Sequence, residues 1–175
     1  MPYPEPLVRP MREELTRLGV EELTTAAEVD RAMQEAQAGT TLAVINSVCG
    51  CAAAMARPAV ALARRAAPQP DRYVTVFAGQ DLEATARFRD YLAGIPPSSP
   101  SMFLLKDGEP VFALERRHIE GRSASAIAAD LAAAFERYCG TDAMSAGSPE
   151  RPSVEGMEGT PAVPNDLPPT FRSIL

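Results

Sequence analysis

Residues 41–46, TLAVIN, form a short apolar run that leads into NSVCGC and then into an Ala-rich stretch over 51–66. An apolar run of this length suits a buried strand, and a strand buried on both faces needs helices to cover it. The chain is thereby held to an α/β architecture in which a buried strand feeds a helix. Cys49 and Cys51 sit at the join, at the N-terminus of that helix.

The remaining elements alternate around this unit. Arg12 to Leu18 reads as a short helix, and Thr25 with Glu28 forms a capping-box pattern opening a second helix to about Gln37, stopped at Gly39. The Ala-rich helix from Cys51 to Ala66 is interrupted by Pro58, which should kink or restart it. YVTVF at 73–77 is a second strand, and Asp81 can cap a helix from Leu82 to Ala93 that ends at Gly94. SMFLLK and PVFALE flank Asp107-Gly108, a pair that favours a tight hairpin. Ile127, Leu131, Phe135 and Tyr138 mark an amphipathic helix from Ser125 to Cys139. Helices followed by βαβαββα imply a four-stranded mixed sheet flanked by helices, with an N-terminal helical extension, in a thioredoxin-like order.

Residues 1–139 are expected to form this domain and 140–175 a Pro-rich, flexible C-terminal tail, whose composition cannot offset its ordering entropy. Leu167, Phe171, Ile174 and Leu175 form an apolar exception at its end. Seventeen Lys and Arg against 23 Asp and Glu give a net charge of −6, which disfavours nucleic acid and anionic membrane as partners. No apolar run approaches the ~20 residues that span a bilayer, and the opening MPYPEPLVRPMREEL lacks the apolar core of a signal peptide. A cytoplasmic location is expected. Three cysteines in a reducing compartment point to redox or metal chemistry more than to a disulfide scaffold.

A helix N-terminus stabilises thiolate over thiol, and thiolate is the attacking species. Cys49 precedes the helix and is the expected nucleophile, while Cys51 in the first turn is placed to attack a mixed disulfide formed on Cys49. A bridge across one residue bends the backbone tightly, so Gly50 is expected to relieve strain that a side chain would add. Such a bridge suits an oxidant, an isomerase or a mixed-disulfide carrier more than a deep reductant. Two other readings stand beside this one. The cysteines could be inert packing residues, or the CxC pair could join Cys139 and His118 in a non-catalytic zinc set, although neither partner belongs to a second spaced ligand pair. No bound metal or cofactor is expected.

LTTAAEVDRAM, TTLAVINSVCGCA, ARPA, VTVFAGQDLEATA, PPSSPS with LLKDG, and IEG with AFERYC together resemble the bacilliredoxin family over about residues 7–139. RRHIEGR at 116–122 departs from that pattern in the placement of its histidine, and the Pro-rich tail lies beyond the usual family end. The resemblance implies a thioredoxin fold that removes bacillithiol, a cysteinyl glucosamine malate thiol, from S-bacillithiolated proteins. Cys49 would be the attacking cysteine and Cys51 its partner. The implied partners are S-thiolated proteins, bacillithiol as co-substrate, and a bacillithiol disulfide reductase. In thioredoxin-like proteins a cis-proline before the third strand lies beside the cysteines, a place that Pro100 fills here. A general protein disulfide reductase or isomerase is the alternative activity.

The other polar candidates read as quieter. Cys139 ends the last helix, where the dipole disfavours thiolate, and His118 lies in a charged loop. Arg57, Arg116 and Arg117 could attract the malate carboxylates but read first as solvated charge. Asn46 and Ser47 precede the motif and either shape its turn or simply end the strand.

Overall fold

The computed structural model describes residues 2–140; the Pro-rich tail and its apolar end lie outside the described residues. The elements run α1 (Glu5–Thr16), β1 (Glu21–Glu22), α2 (Ala26–Glu35), β2 (Thr40–Asn46), a π-helical turn (Ala52–Ala56), α3 (Arg57–Ala63), β3 (Arg72–Phe77), α4 (Leu82–Asp90), β4 (Ser101–Lys106), β5 (Glu109–Leu114), α5 (Arg116–Ile119) and α6 (Ala124–Cys139). The sheet order is β1-β3-β2-β4-β5. β2 pairs parallel with β3 and antiparallel with β4, and β4 turns back antiparallel onto β5. This is the thioredoxin-like arrangement, with one strand more than the four expected. β1 is two glutamates long and parallel to β3, too short and too charged to show a strand pattern.

All seven residues of β2 are buried, because the strand is central and covered on both faces. Side chains alternate between two cores, as the period of a strand requires. Leu42, Val44, Met102 and Leu104 meet Val60 of α3 and Ile127, Leu131 and Phe135 of α6. Ala43, Ile45, Val76 and Phe103 meet Val29 and Met33 of α2 and Phe88 of α4 on the other face. Each such large apolar side chain contributes roughly 1.5–3 kcal/mol by leaving water. No helix of the described residues is long and apolar enough to cross a membrane.

Local chemistry explains where these elements start and stop. The Thr25–Glu28 capping box opens α2 with both reciprocal bonds made. The first helix begins earlier than its apolar spacing indicates, at Glu5, with a proline in its opening turn. Pro58 restarts the third helix rather than kinking it. Pro58 donates no hydrogen bond and its ring crowds the carbonyl four residues back, so the turn before it widens and the Arg57 N–H donates to the Ala52 carbonyl, five residues away. Asp81 precedes α4 as expected, but its side chain makes no capping bond. The carboxylate is taken instead by Arg12 in a two-pronged pair at 2.6 and 2.9 Å, the stronger partner for a carboxylate.

The start of β2 is tied to the opposite hairpin. Asp107 and Gly108 have φ of 49° and 85°, the left-handed pair that a two-residue turn with the twist of its strands requires. The Asp107 N–H donates to the Gly39 carbonyl at 2.8 Å, and the Gly39 N–H returns a bond to the Asp107 carboxylate at 3.0 Å. Beside it, the Thr40 N–H and hydroxyl both donate to Asp71, at 2.7 and 2.9 Å. The Thr40 N–H is the main cause that holds the Asp71 carboxyl below its ordinary value of 3.8.

A lowered folded value means that this stabilisation is present above pH ~3.8 and is lost as pH falls through the folded value. The Asp71→Asn variant is therefore expected to be less stable at neutral pH and to show a shallower loss of stability below pH ~4 than the parent. Urea midpoints measured across that range check it.

Candidate active site

β2 ends at Asn46, whose carbonyl accepts from the Ala78 N–H at 2.9 Å, and the chain turns through Ser47 and Val48 into Cys49. Ile45 lies opposite Ser101 in the sheet, so the cis Ser99–Pro100 peptide sits at this same end. Pro100 is buried there, and the Ser101 hydroxyl donates to the Ser98 carbonyl at 3.0 Å. The topology thus brings Asn46, Cys49, Gly50, Cys51 and Pro100 to one end of the central strands.

Cys49 and Cys51 are joined as a disulfide, with their Cα atoms 5.4 Å apart. Their surroundings differ. Cys49 is half-buried, whereas Cys51 is only 8% exposed inside the first helical turn. The Ala52 N–H points at the Cys49 sulfur from 3.3 Å, and the Ser47 hydroxyl lies 3.3 Å from the same atom. The Cys49 carbonyl accepts from the amides of Ala52 and Ala53, so the helix starts on this residue. Amide dipoles at the helix start, and an Ala52 N–H shared between the Cys49 carbonyl and the Cys49 sulfur, favour the anionic form of this accessible sulfur.

Gly50 differs from its expected role. Its φ is not in the left-handed region, and a Cβ built there would meet nothing within 4 Å. The bend between the two cysteines is absorbed without a glycine-only conformation, and what Gly50 contributes is an open face beside the bridge.

The main residue that sequence reasoning misplaced is Arg57. It is 3% exposed, not solvated. Its guanidinium donates to the Asn46 side-chain oxygen at 3.2 Å and to the Ser47 carbonyl at 3.1 Å, and it pairs with Glu14 of α1 at 2.7 Å. The π-helical turn precedes it directly, and the buried Arg57 faces back under the end of β2. The available signal was its position as the lone charge in CAAAMARPAVALA. Asn46 is equally engaged: its side-chain oxygen also accepts from the Ser47 N–H at 2.9 Å, and its amide donates to the Met11 carbonyl at 3.3 Å.

Arg116 and Arg117 are exposed and paired with Glu120 and Glu115, at 3.3 and 3.0 Å, as solvated charges are. His118 is half-buried, and its Nδ1 accepts the Glu115 N–H at 3.1 Å, so the ring caps α5. Cys139 lies beside Thr40 and Asp71, at the start of β2, and burial lifts its thiol above the usual range. Six residues of strand at ~3.3 Å each put that end about 20 Å from Asn46. The four-ligand set of CxC, Cys139 and His118 is therefore not assembled. Among the described residues no group of three or more His, Cys, Asp and Glu is placed to hold a metal ion.

An accessible sulfur and a buried partner, joined across one residue at the start of a helix on a thioredoxin-like sheet, form a thiol–disulfide oxidoreductase site. Residues 3–139 match the family described as disulphide isomerase. A bacilliredoxin of Salinibacter ruber is 60% identical over 176 residues, covering 99% of each chain. One from Koribacter versatilis is 52% identical, covering 81% of this chain and 97% of its own. One from Bacillus licheniformis is 53% identical, covering 78% and 95%. Among solved structures, a thioredoxin of Fasciola hepatica aligns at a TM-score of 0.48 and 20% identity, covering 68% of this chain and 99% of its own. The chain belongs to the bacilliredoxin family and is a thiol–disulfide oxidoreductase.

In the reduced protein, alkylation with limiting reagent at neutral pH is expected to label Cys49 first. Cys51 is shielded, and Cys139 is held in its thiol form by burial. Peptide mass mapping at partial labelling reads the order, and labelling of Cys139 ahead of Cys49 would overturn it.

Proposed function

We propose that this oxidoreductase removes bacillithiol from S-bacillithiolated proteins through a mixed disulfide on Cys49. The observation that carries this reading is the asymmetry of the pair: one sulfur open to a macromolecular disulfide, the other buried directly behind it. Kinship supports the choice of thiol, since the relatives bear the name bacilliredoxin.

The chemistry balances as two exchanges. The Cys49 thiolate attacks the bacillithiol sulfur of the mixed disulfide. The protein–bacillithiol S–S bond breaks, the freed protein thiolate takes a proton from water, and bacillithiol remains on Cys49. A second thiolate then attacks the Cys49 sulfur. If it comes from Cys51, bacillithiol leaves as thiolate and the Cys49–Cys51 disulfide forms, holding the two electrons' worth of oxidation. If it comes from free bacillithiol, bacillithiol disulfide leaves and Cys49 returns reduced. A bacillithiol disulfide reductase would then restore the small thiol, and the cycle would run in the cytoplasm, where thiols are kept reduced. Asn46 and Pro100 are buried and support the cysteines from below the surface, and the open face at Gly50 lets the backbone of the substrate protein approach.

Single-turnover reaction with an S-bacillithiolated protein tests the proposal. Cys49→Ser is expected to abolish transfer, a loss of at least about 10³-fold for removal of the nucleophile. Cys51→Ser is expected to transfer at a rate within about tenfold of the parent and to accumulate a species heavier by one bacillithiol on Cys49. If Cys51→Ser is as inactive as Cys49→Ser, the carrier scheme fails and a dithiol disulfide reductase or isomerase is the better description.

A further inference from the structure

We infer that the Ser47 hydroxyl is a catalytic hydrogen-bond donor to the Cys49 sulfur, and that Arg57 is the positioning residue that aims it. The inference rests on the thiol–disulfide activity alone and is independent of which small thiol the protein carries.

The direction of the Ser47 contact follows from the chemistry of the partner. In the disulfide, Cys49 Sγ has no proton to give, so at 3.3 Å the hydroxyl is the donor and sulfur the acceptor. Among the described residues, the hydroxyl has no other hydrogen-bond partner, and Ser47 is buried. A buried hydroxyl that is neither a cap nor a backbone bond, and that is spent on a sulfur in the disulfide state, becomes more strongly bound when that sulfur carries charge. Reduction breaks the bond to Cys51 and leaves a thiolate within reach of two donors, the Ser47 hydroxyl and the Ala52 N–H. The same donors serve Cys49 when it is the leaving group, because the sulfur is anionic before attack and again on departure.

Aim is the second half of the inference. The hydroxyl stays within reach of the Cys49 sulfur only while the Ser47 backbone keeps its place in the turn, and both backbone groups of Ser47 are held by the Arg57 assembly. The Ser47 carbonyl accepts from the guanidinium, and the Ser47 N–H donates to the Asn46 side-chain oxygen, which accepts from the same guanidinium nitrogen. Glu14 holds the far side of the guanidinium from α1. One planar, permanently charged group therefore clamps the residue that bears the donor, an arrangement the single ammonium of lysine does not reproduce.

The test uses the full chain with Cys51→Ser and Cys139→Ser, so that Cys49 is the sole thiol, and reads the pH dependence of its alkylation by iodoacetamide. Ser47→Ala is expected to raise the midpoint by about one pH unit, so that labelling on the acid side slows about tenfold. Ser47→Thr keeps a hydroxyl and is expected to stay with the parent. Arg57→Lys keeps the charge but loses the fork, and is expected to raise the midpoint in the Ser47 parent while adding nothing in the Ser47→Ala background. An unchanged midpoint in Ser47→Ala overturns the donor role, as does a shift equally large in Ser47→Thr. Equal shifts from Arg57→Lys in both backgrounds overturn its action through Ser47. If Arg57→Lys fails to fold, the Ser47 pair still decides the donor role, and a Glu14→Gln chain measured in the same two backgrounds decides the clamp.

Discussion

Among the described residues Arg57 is the only charged side chain that is buried, and its guanidinium ties together three elements, α1, β2 and α3. It rises from the first residue of α3, crosses beneath the end of β2 to Asn46 and Ser47, and reaches Glu14 on α1. An unpaired charge in such a place would cost several kcal/mol. Each of its bonds therefore constrains a neighbour, and the turn that presents Cys49 has little freedom left. The widened helical turn before Pro58 belongs to the same device, since it directly precedes Arg57 and spaces it from the cysteines.

β2 behaves differently at its two ends. At Thr40 the strand is locked by Asp71 and by the Asp107–Gly39 bonds, and the nearby Cys139 is kept protonated by burial. At Asn46 the strand opens into a turn whose polar groups are aimed at one sulfur. The same residue type meets burial that favours the thiol at one end and donors that favour the thiolate at the other, and a fully buried strand holds the two environments apart.

The N-terminal segment is part of the site's frame. Tyr3 and the Gln80 side chain exchange two hydrogen bonds, at 2.8 and 3.0 Å. Arg12 pairs with Asp81 and Glu22 and stacks its guanidinium 5.2 Å from the centre of the Phe77 ring. Met11 receives the Asn46 amide, and Glu14 receives Arg57. Contacts from one helix and its lead-in thus reach β1, the ends of β2 and β3, the start of α3 and the loop before α4, which is why the helical extension packs as one body with the sheet.

Much of this was legible in the residues themselves. Apolar periodicity marked β2, β3, β4 and α6, the Thr25–Glu28 spacing marked the start of α2, and Asp107-Gly108 marked the hairpin, because each rests on local backbone chemistry. The placement of Cys49 and Cys51 between a strand and a helix was equally local, and it already separated a more accessible sulfur from a buried one. What the chain alone could not determine depends on partners distant in sequence. β1 exists only because β3 offers it a pairing edge, and Asp81 forgoes its cap because Arg12, 69 residues away, binds its carboxylate more strongly. Gly50 faces open space rather than a strained turn. Arg57 looked like one more solvated arginine until the fold placed Asn46, Ser47 and Glu14 around it. A charge is inexpensive to bury only where several acceptors converge, and that convergence is a property of the tertiary structure.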